Sequence, residues 1–248
     1  MAERVPVITD AIEALLSRVA VLPGNLREPA PAGGDLELIL NAGVCAPDHG
    51  WLKPWRFLLI SGDARRNFGS LLRDAYQRRR PEMDERSLER IRRYPMRIPL
   101  LIGVVAAVKE SQIPVQEQIL SAGTAAQNIA LAAHALGYGA MWISAMIEGD
   151  APAHRALGLG PRDQLVGWIC VGSLRSKPKP KKTAAGSCFR QSLEGCGATR
   201  AGDRGKGRLS RFAIAGRQTR IAVDADNIPA TRARLDSRTH RLGARLRI

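Results

Sequence analysis

Residues 46–55, Ala46-Pro47-Asp48-His49-Gly50-Trp51-Leu52-Lys53-Pro54-Trp55, run directly into the apolar Phe57-Leu58-Leu59-Ile60. Pro47 and Pro54 bracket the stretch, so the backbone between them is neither regular helix nor interior strand. That stiff turn holds an imidazole, an ammonium and two indoles. It lies between a helix-like segment and a strand-like one, a setting that suits a flat ligand with polar edges. The same residues also suit a packed turn whose tryptophans belong to the core.

Outward from this loop, helical and strand patterns alternate. Ile8, Ile12, Leu15 and Leu16 have helical spacing over residues 8–18, and residues 21–25 break it. Asp35 is the expected N-cap of a second helix through Leu36, Ile39, Leu40 and Val44. Trp55–Ser61 reads as a buried strand, and residues 64–79 and 82–93 read as polar helices with solvated faces. Residues 99–108 form the continuous apolar run that a strand covered on both sides needs. The longest helix is expected over residues 114–136, with Pro114 in its first turn and Gly137 as its left-handed cap. Its alanine-rich middle lets a neighbour approach closely, as a buried central helix or a dimer interface requires. Gly139–Ile143 reads as a short strand, residues 151–157 as a helix stopped by Gly158, and residues 165–172 as a third buried strand. The alternation predicts an α+β or α/β fold with helices covering a sheet.

Charge is uneven along the 248 residues. The chain holds 38 Lys+Arg and 23 Asp+Glu, and residues 183–248 carry 14 of the first group but only 5 of the second. All four tryptophans and all three tyrosines precede residue 183. The expected organisation is a core-forming domain over 1–176, a basic linker over 177–182, and an Arg/Gly/Ala-rich tail over 183–248, disordered or loosely packed. No run of about 18 apolar residues is present, so no membrane span is expected. The first residues lack a secretory pattern. Cys45, Cys170, Cys188 and Cys196 fit neither a zinc spacing nor a disulfide framework. The expected setting is a reducing cytoplasm, and no metal site is expected.

Several short pieces, in one order and spacing across about residues 8–175, carry a resemblance. They are Glu28-Pro29-Ala30-Pro31, Ala46-Pro47-Asp48-His49 with Pro54-Trp55, Glu117-Gln118, Ser121-Ala122-Gly123, Ala126-Gln127-Asn128, Gly137-Tyr138-Gly139-Ala140-Met141-Trp142, and Val166-Gly167 leading to Val171-Gly172. Together they resemble the nitroreductase family, in particular its short branch of NAD(P)H nitroreductases. The resemblance implies an α+β, nitroreductase-like FMN fold: a central, mainly antiparallel sheet covered by helices in an intertwined homodimer. It implies FMN in the cleft between protomers, NADH or NADPH as electron donor, and a nitroaromatic, quinone or related small-molecule acceptor. The reaction it implies has two steps, both centred on flavin N5, so no side chain is expected to act as acid, base or nucleophile.

The same resemblance marks residues. The family's phosphate-gripping Arg-Arg-Ser corresponds to Arg18-Val19-Ala20, of which only Arg18 keeps a charge. Without the match, Arg18 reads as a cation at a helix C-terminus. Cys45 stands where an arginine is frequent in relatives, and a buried thiol is expected there. His49 takes the place of the family's flavin-contacting histidine. Lys53 takes the place beside the flavin pyrimidine, although a solvated lysine fits equally. Trp142-Ile143-Ser144 corresponds to Trp-Arg-Ser along the flavin, with the guanidinium lost at Ile143. Ala132, Ala133, His134, Ala135, Leu136 and Gly137 correspond to a stretch assigned to NAD(P)H, or are simply the end of a core helix.

Two other functions remain open. The departures from the family pattern at Ala20, Cys45 and Ile143 suit a flavin-binding protein with weak or no turnover. The basic tail suits a polyanion-binding arm, but it lacks interleaved aromatics apart from Phe189 and Phe212. A nucleic-acid partner is therefore not expected, and the tail reads better as an extension without function, such as a shifted reading frame produces.

Overall fold

A computed structural model describes residues 10–179. The tail at 183–248, residues 180–182 of the basic linker and the start of the first predicted helix lie outside the described residues. Six α-helices and five strands follow one another among those described: α1 Ala11–Ser17, β1 Leu26–Arg27, α2 Gly33–Val44, β2 Trp55–Ser61, α3 Ala64–Arg79, α4 Glu85–Arg93, β3 Leu100–Ala106, α5 Val115–Ala135, β4 Gly139–Ile143, α6 Ala151–Ala156 and β5 Gln164–Leu174. None of these helices is long and apolar enough to cross a membrane.

All strand pairs are antiparallel. β5 is the hub: Leu100 of β3 lies opposite Val171, Gly139 of β4 opposite Gly172, and Leu26 of β1 opposite Leu174. β2 adds to the far side of β3, from Trp55 opposite Ala106 to Ser61 opposite Leu100.

The apolar run of β3 is explained by two covered faces. Leu100, Ile102 and Val104 point to one side, where Ile39 of α2 and Ala122, Ala126, Ile129 and Ala133 of α5 pack on them. Leu101 points to the other side, among Phe68 and Leu72 of α3, Ile147, and Trp168 and Cys170 of β5. The small residues of α5 have the expected consequence: α2 packs so close that a Cβ on Gly43 would lie 2.9 Å from both Ile129 and Phe57. Thus α5 is a buried central helix, and α3, α4 and α6 occupy the opposite side of the sheet.

Three helix starts differ from the sequence expectation; α4 begins at Glu85 and not at 82, because the Asp84 side chain caps it by accepting from the Ser87 N–H. α2 begins at Gly33 with Ala32 as N-cap, so Asp35 sits in the first turn and accepts a hydrogen bond from the Tyr138 hydroxyl at 2.7 Å. Pro114 is the N-cap of α5, because its ψ of 139° is extended and the helix begins one residue later.

Candidate functional site

The predicted loop leaves the C-terminus of α2 and is strapped to α5 at two points. The Ser121 hydroxyl donates to the Pro47 carbonyl at 2.6 Å, and His49 Nδ1 pairs with Glu117 Oε2 at 2.7 Å. Within the loop, the Asp48 carboxylate accepts from the backbone N–H of Leu52 at 3.2 Å and of Lys53 at 2.7 Å. This is the local turn chemistry for which Asp is suited. It holds Gly50, Trp51 and Lys53 at φ 76°, 56° and 47°. Glycine adopts that region freely, whereas Trp and Lys each cost about 1–3 kcal/mol there. The strained backbone presents Trp51 with 87% of its surface exposed, the most exposed large apolar side chain described. Val44, Ala46, Asp48, Trp51, Lys53 and Trp55 line a cavity of about 510 Å³ beside it. With Nδ1 of His49 engaged by Glu117, Nε2 is the nitrogen available to a ligand.

A second group forms at the other end of α5. Ser17 Oγ lies 2.9 Å from His134 Nε2, and the half-buried Arg18 is close enough for its charge to act on that imidazole. Burial first, and then the Arg18 charge, lower the His134 pKa, so this histidine is held neutral. Val19 and Ala20 line a cleft of about 480 Å³ together with Lys177 and Lys179. The pairing of β1 with the end of β5 brings these lysines there: Arg175 donates its backbone N–H to Asn25 O at 2.9 Å and its Nε to Leu26 O at 3.1 Å. Sequence reasoning missed them because residues 177–182 read as a linker. A strand of only two residues, Leu26–Arg27, turns the chain back onto residues 19–25.

Between the two ends, Asp10, Ala14, Ala42, Cys45, Asn128, Ala132 and Ala135 share a shallow cleft of about 440 Å³. Cys45 is therefore exposed in the single chain, against expectation, because it caps the outer end of α2 and does not enter the core. The predicted 132–137 stretch is divided: Ala132 and Ala135 face this cleft, whereas Ala133 is fully buried on the core side of α5. Trp142 lies against Gly123 of α5 and over Gly167 of β5, with 41% of its surface exposed. A Cβ on Gly167 would collide with Trp142 Nε1 and the Ile143 carbonyl, and its φ is 154°. Ile143 pairs opposite Trp168, and Ser144 is exposed at the strand end.

Glu117 and His134 mark how far apart the two groups are. Seventeen residues of helix separate them, about 25 Å along α5. The structure thus sets His49 and Lys53 near one end, Arg18, Val19 and Ala20 at the other and Cys45 between them, and does not bring the two end groups together within one chain. Among the described residues, no cluster of three His, Cys, Asp or Glu side chains could hold a metal.

The nitroreductase family model matches residues 26–173. YdjA of Escherichia coli (strain K12), which carries the name of an NAD(P)H nitroreductase, is 36% identical over 169 residues, 68% of this chain and 90% of its own. A similarly named protein of Haemophilus influenzae is 32% identical over 151 residues, 60% of this chain and 81% of its own. Among solved structures, a nitroreductase-like protein from Bacillus cereus covers 77% of this chain and 100% of its own at TM-score 0.64 and 21% identity. A nitroreductase-type protein in complex with FMN from Desulfovibrio desulfuricans covers 73% and 95% at TM-score 0.55 and 25% identity. The matched residues take in β2 to β4, α5 and the loop at 46–55, and this chain belongs to the nitroreductase family of oxidoreductases.

Proposed function

We propose that the chain is an FMN-dependent NAD(P)H oxidoreductase whose cofactor sites are each assembled from two protomers of a homodimer. The observation that carries this reading is the separation along α5. The points of α5 that mark the cationic end (Arg18, Lys177, Lys179) and the ring-edge end (His49, Lys53), which are His134 beside Arg18 and Glu117 beside His49, lie about 25 Å apart along the helix. That is too far for both to hold one FMN at close range. A two-fold axis is the simplest operation that sets one protomer's cationic end beside its partner's loop. The faces such an axis would bury are available: Ile12, Leu15 and Leu16 of α1, Leu38 and Val44 of α2, and Val115 and Leu120 of α5 are all exposed.

The residues fit the cofactor. Lys177 and Lys179 supply, beside Val19 and Ala20, the positive charge those residues lack. With Arg18 they give three cations for a phosphate that carries nearly two negative charges. The ammonium of Lys53 would meet the polar edge of the ring and favour its anionic form. His49 would present Nε2 with its orientation set by Glu117. Bound FMN supplies the two-electron chemistry itself. The chain binds and orients the flavin, and the apolar wall of Trp142 shields the bound ring from water. The same cleft takes nicotinamide donor and acceptor in turn, with nitroaromatics, quinones and related compounds as the acceptor class.

The test is spectral. Purified full chain should take up added FMN and turn yellow, and NADH or NADPH should bleach it without oxygen. Failure to take up FMN would refute the proposal. Bound flavin that neither nicotinamide bleaches would instead support the flavin-holding protein suggested by the uncharged Val19, Ala20, Cys45 and Ile143.

A further inference from the structure

The 46–55 loop is built to display an indole next to an ammonium. Trp51 is held at φ 56° and Lys53 at φ 47°, both fixed from within by Asp48 and from outside by the straps to Glu117 and Ser121. Trp51 buries almost nothing in return, so core packing does not account for this arrangement. Trp55, the second indole, stands across the same cavity of about 510 Å³, a volume that accommodates a small planar molecule. Among the described residues the Lys53 ammonium has no carboxylate partner, and its three N–H donors suffice for the flavin edge and a ligand's carboxylate together. An aromatic face and an unpaired cation on one rigid rim recognise a flat ring that bears a negative group.

We propose that Trp51 is the stacking platform for the electron acceptor and Lys53 its charge partner, so that the site selects planar aromatic carboxylates over their neutral counterparts. This deepens the flavin reading and rests on it for the redox role, while the recognition itself needs no flavin. The strain at Trp51 serves recognition: a side chain there in the ordinary backbone region would turn away from the rim. Ring area at position 51 sets affinity, and charge at position 53 sets the preference between acid and amide.

The experiment titrates the full chain with 2-naphthoate and with neutral 2-naphthamide. Tryptophan fluorescence reads the titration on flavin-free protein, and the flavin absorption band reads it after FMN is added. Wild type, Trp51→Phe, Trp51→Ala and Lys53→Gln are compared, with the thermal midpoint as the folding control. Wild type should bind naphthoate about fivefold more tightly than naphthamide, and Lys53→Gln should remove that preference. Trp51→Ala should weaken both probes about tenfold, whereas Trp51→Phe, which keeps a ring, should stay within about threefold. Uptake of FMN should be the same in Trp51→Ala as in wild type. Equal naphthoate affinity in wild type and Trp51→Ala, or equal binding of acid and amide by wild type, would overturn the proposal. A chain that takes up no FMN but shows the naphthoate pattern by fluorescence would refute the flavin reading and leave this recognition standing.

Discussion

At the scale of single residues, the charges near Val19 and Ala20 decide whether a phosphate can be held. A motif that keeps only one of its charged members looks crippled in sequence, yet Lys177 and Lys179 line the cleft of Val19 and Ala20 from the segment that follows β5. Replacing both lysines by alanine should raise the FMN dissociation constant about tenfold, since an exposed charge pair contributes up to about 1 kcal/mol. The loss should shrink at high salt, and fluorescence titration of FMN checks both. A second residue-scale prediction concerns Cys170, whose burial pushes its thiol up to about 12. At pH 8 it stays protonated, so alkylation followed by peptide mapping should leave Cys170 unmodified in the native chain and modify it only after unfolding. Glu89 shows the opposite shift: hydrogen bonds from Arg92 and then Arg93 hold its carboxyl down at about 2, from 4.5. Because the folded value is the lower one, any stabilisation from Glu89 is complete above about pH 4.5 and is lost as pH falls toward 2. The thermal midpoints of Glu89→Gln and wild type should therefore differ at neutral pH and converge in acid.

At the scale of elements, the most readable parts were those whose pattern is local. β3 announced two covered faces by an unbroken apolar run, and α5 announced a close neighbour by its alanines. The boundaries of β2 and β4, Trp55–Ser61 and Gly139–Ile143, are those the sequence pattern predicts. What was hidden depends on partners distant in sequence. β1 has only two residues and exists because β5 pairs with it, so nothing in Leu26-Arg27 alone predicts a strand. Asp35 has the chemistry of a cap, but the helix starts at Gly33 and the carboxylate is taken by Tyr138. Cys45 looked like a core thiol because its neighbours are apolar, but the turn of α2 at which it sits faces outward. The strapped loop yields an element-scale prediction. Ser121→Ala removes the bond to Pro47 O and should cost about 1 kcal/mol in urea unfolding, with Trp51 fluorescence shifted. Gly167→Ala should cost more, about 3 kcal/mol, because the added methyl meets Trp142 and Ile143 on a backbone at φ 154°.

At the scale of the whole molecule, the account depends on two chains making each site. The exposed apolar side chains of α1, α2 and α5 and the separation of the two half-sites along α5 have one common explanation in a two-fold dimer. Leu16→Glu together with Leu120→Glu should therefore yield a monomer by light scattering, and the monomer should lose FMN along with its partner. The most direct measurement uses two defective chains. One carries Arg18→Ala, Lys177→Ala and Lys179→Ala, and the other carries His49→Ala and Lys53→Gln. Each alone should bind FMN weakly. After the two are unfolded together and refolded, half the dimers are mixed, and each mixed dimer contains one intact site and one doubly defective site. Tight FMN binding should return at about a quarter of all sites. If each chain held its own flavin, no mixed dimer would contain an intact site, and the absence of any recovery would contradict the account.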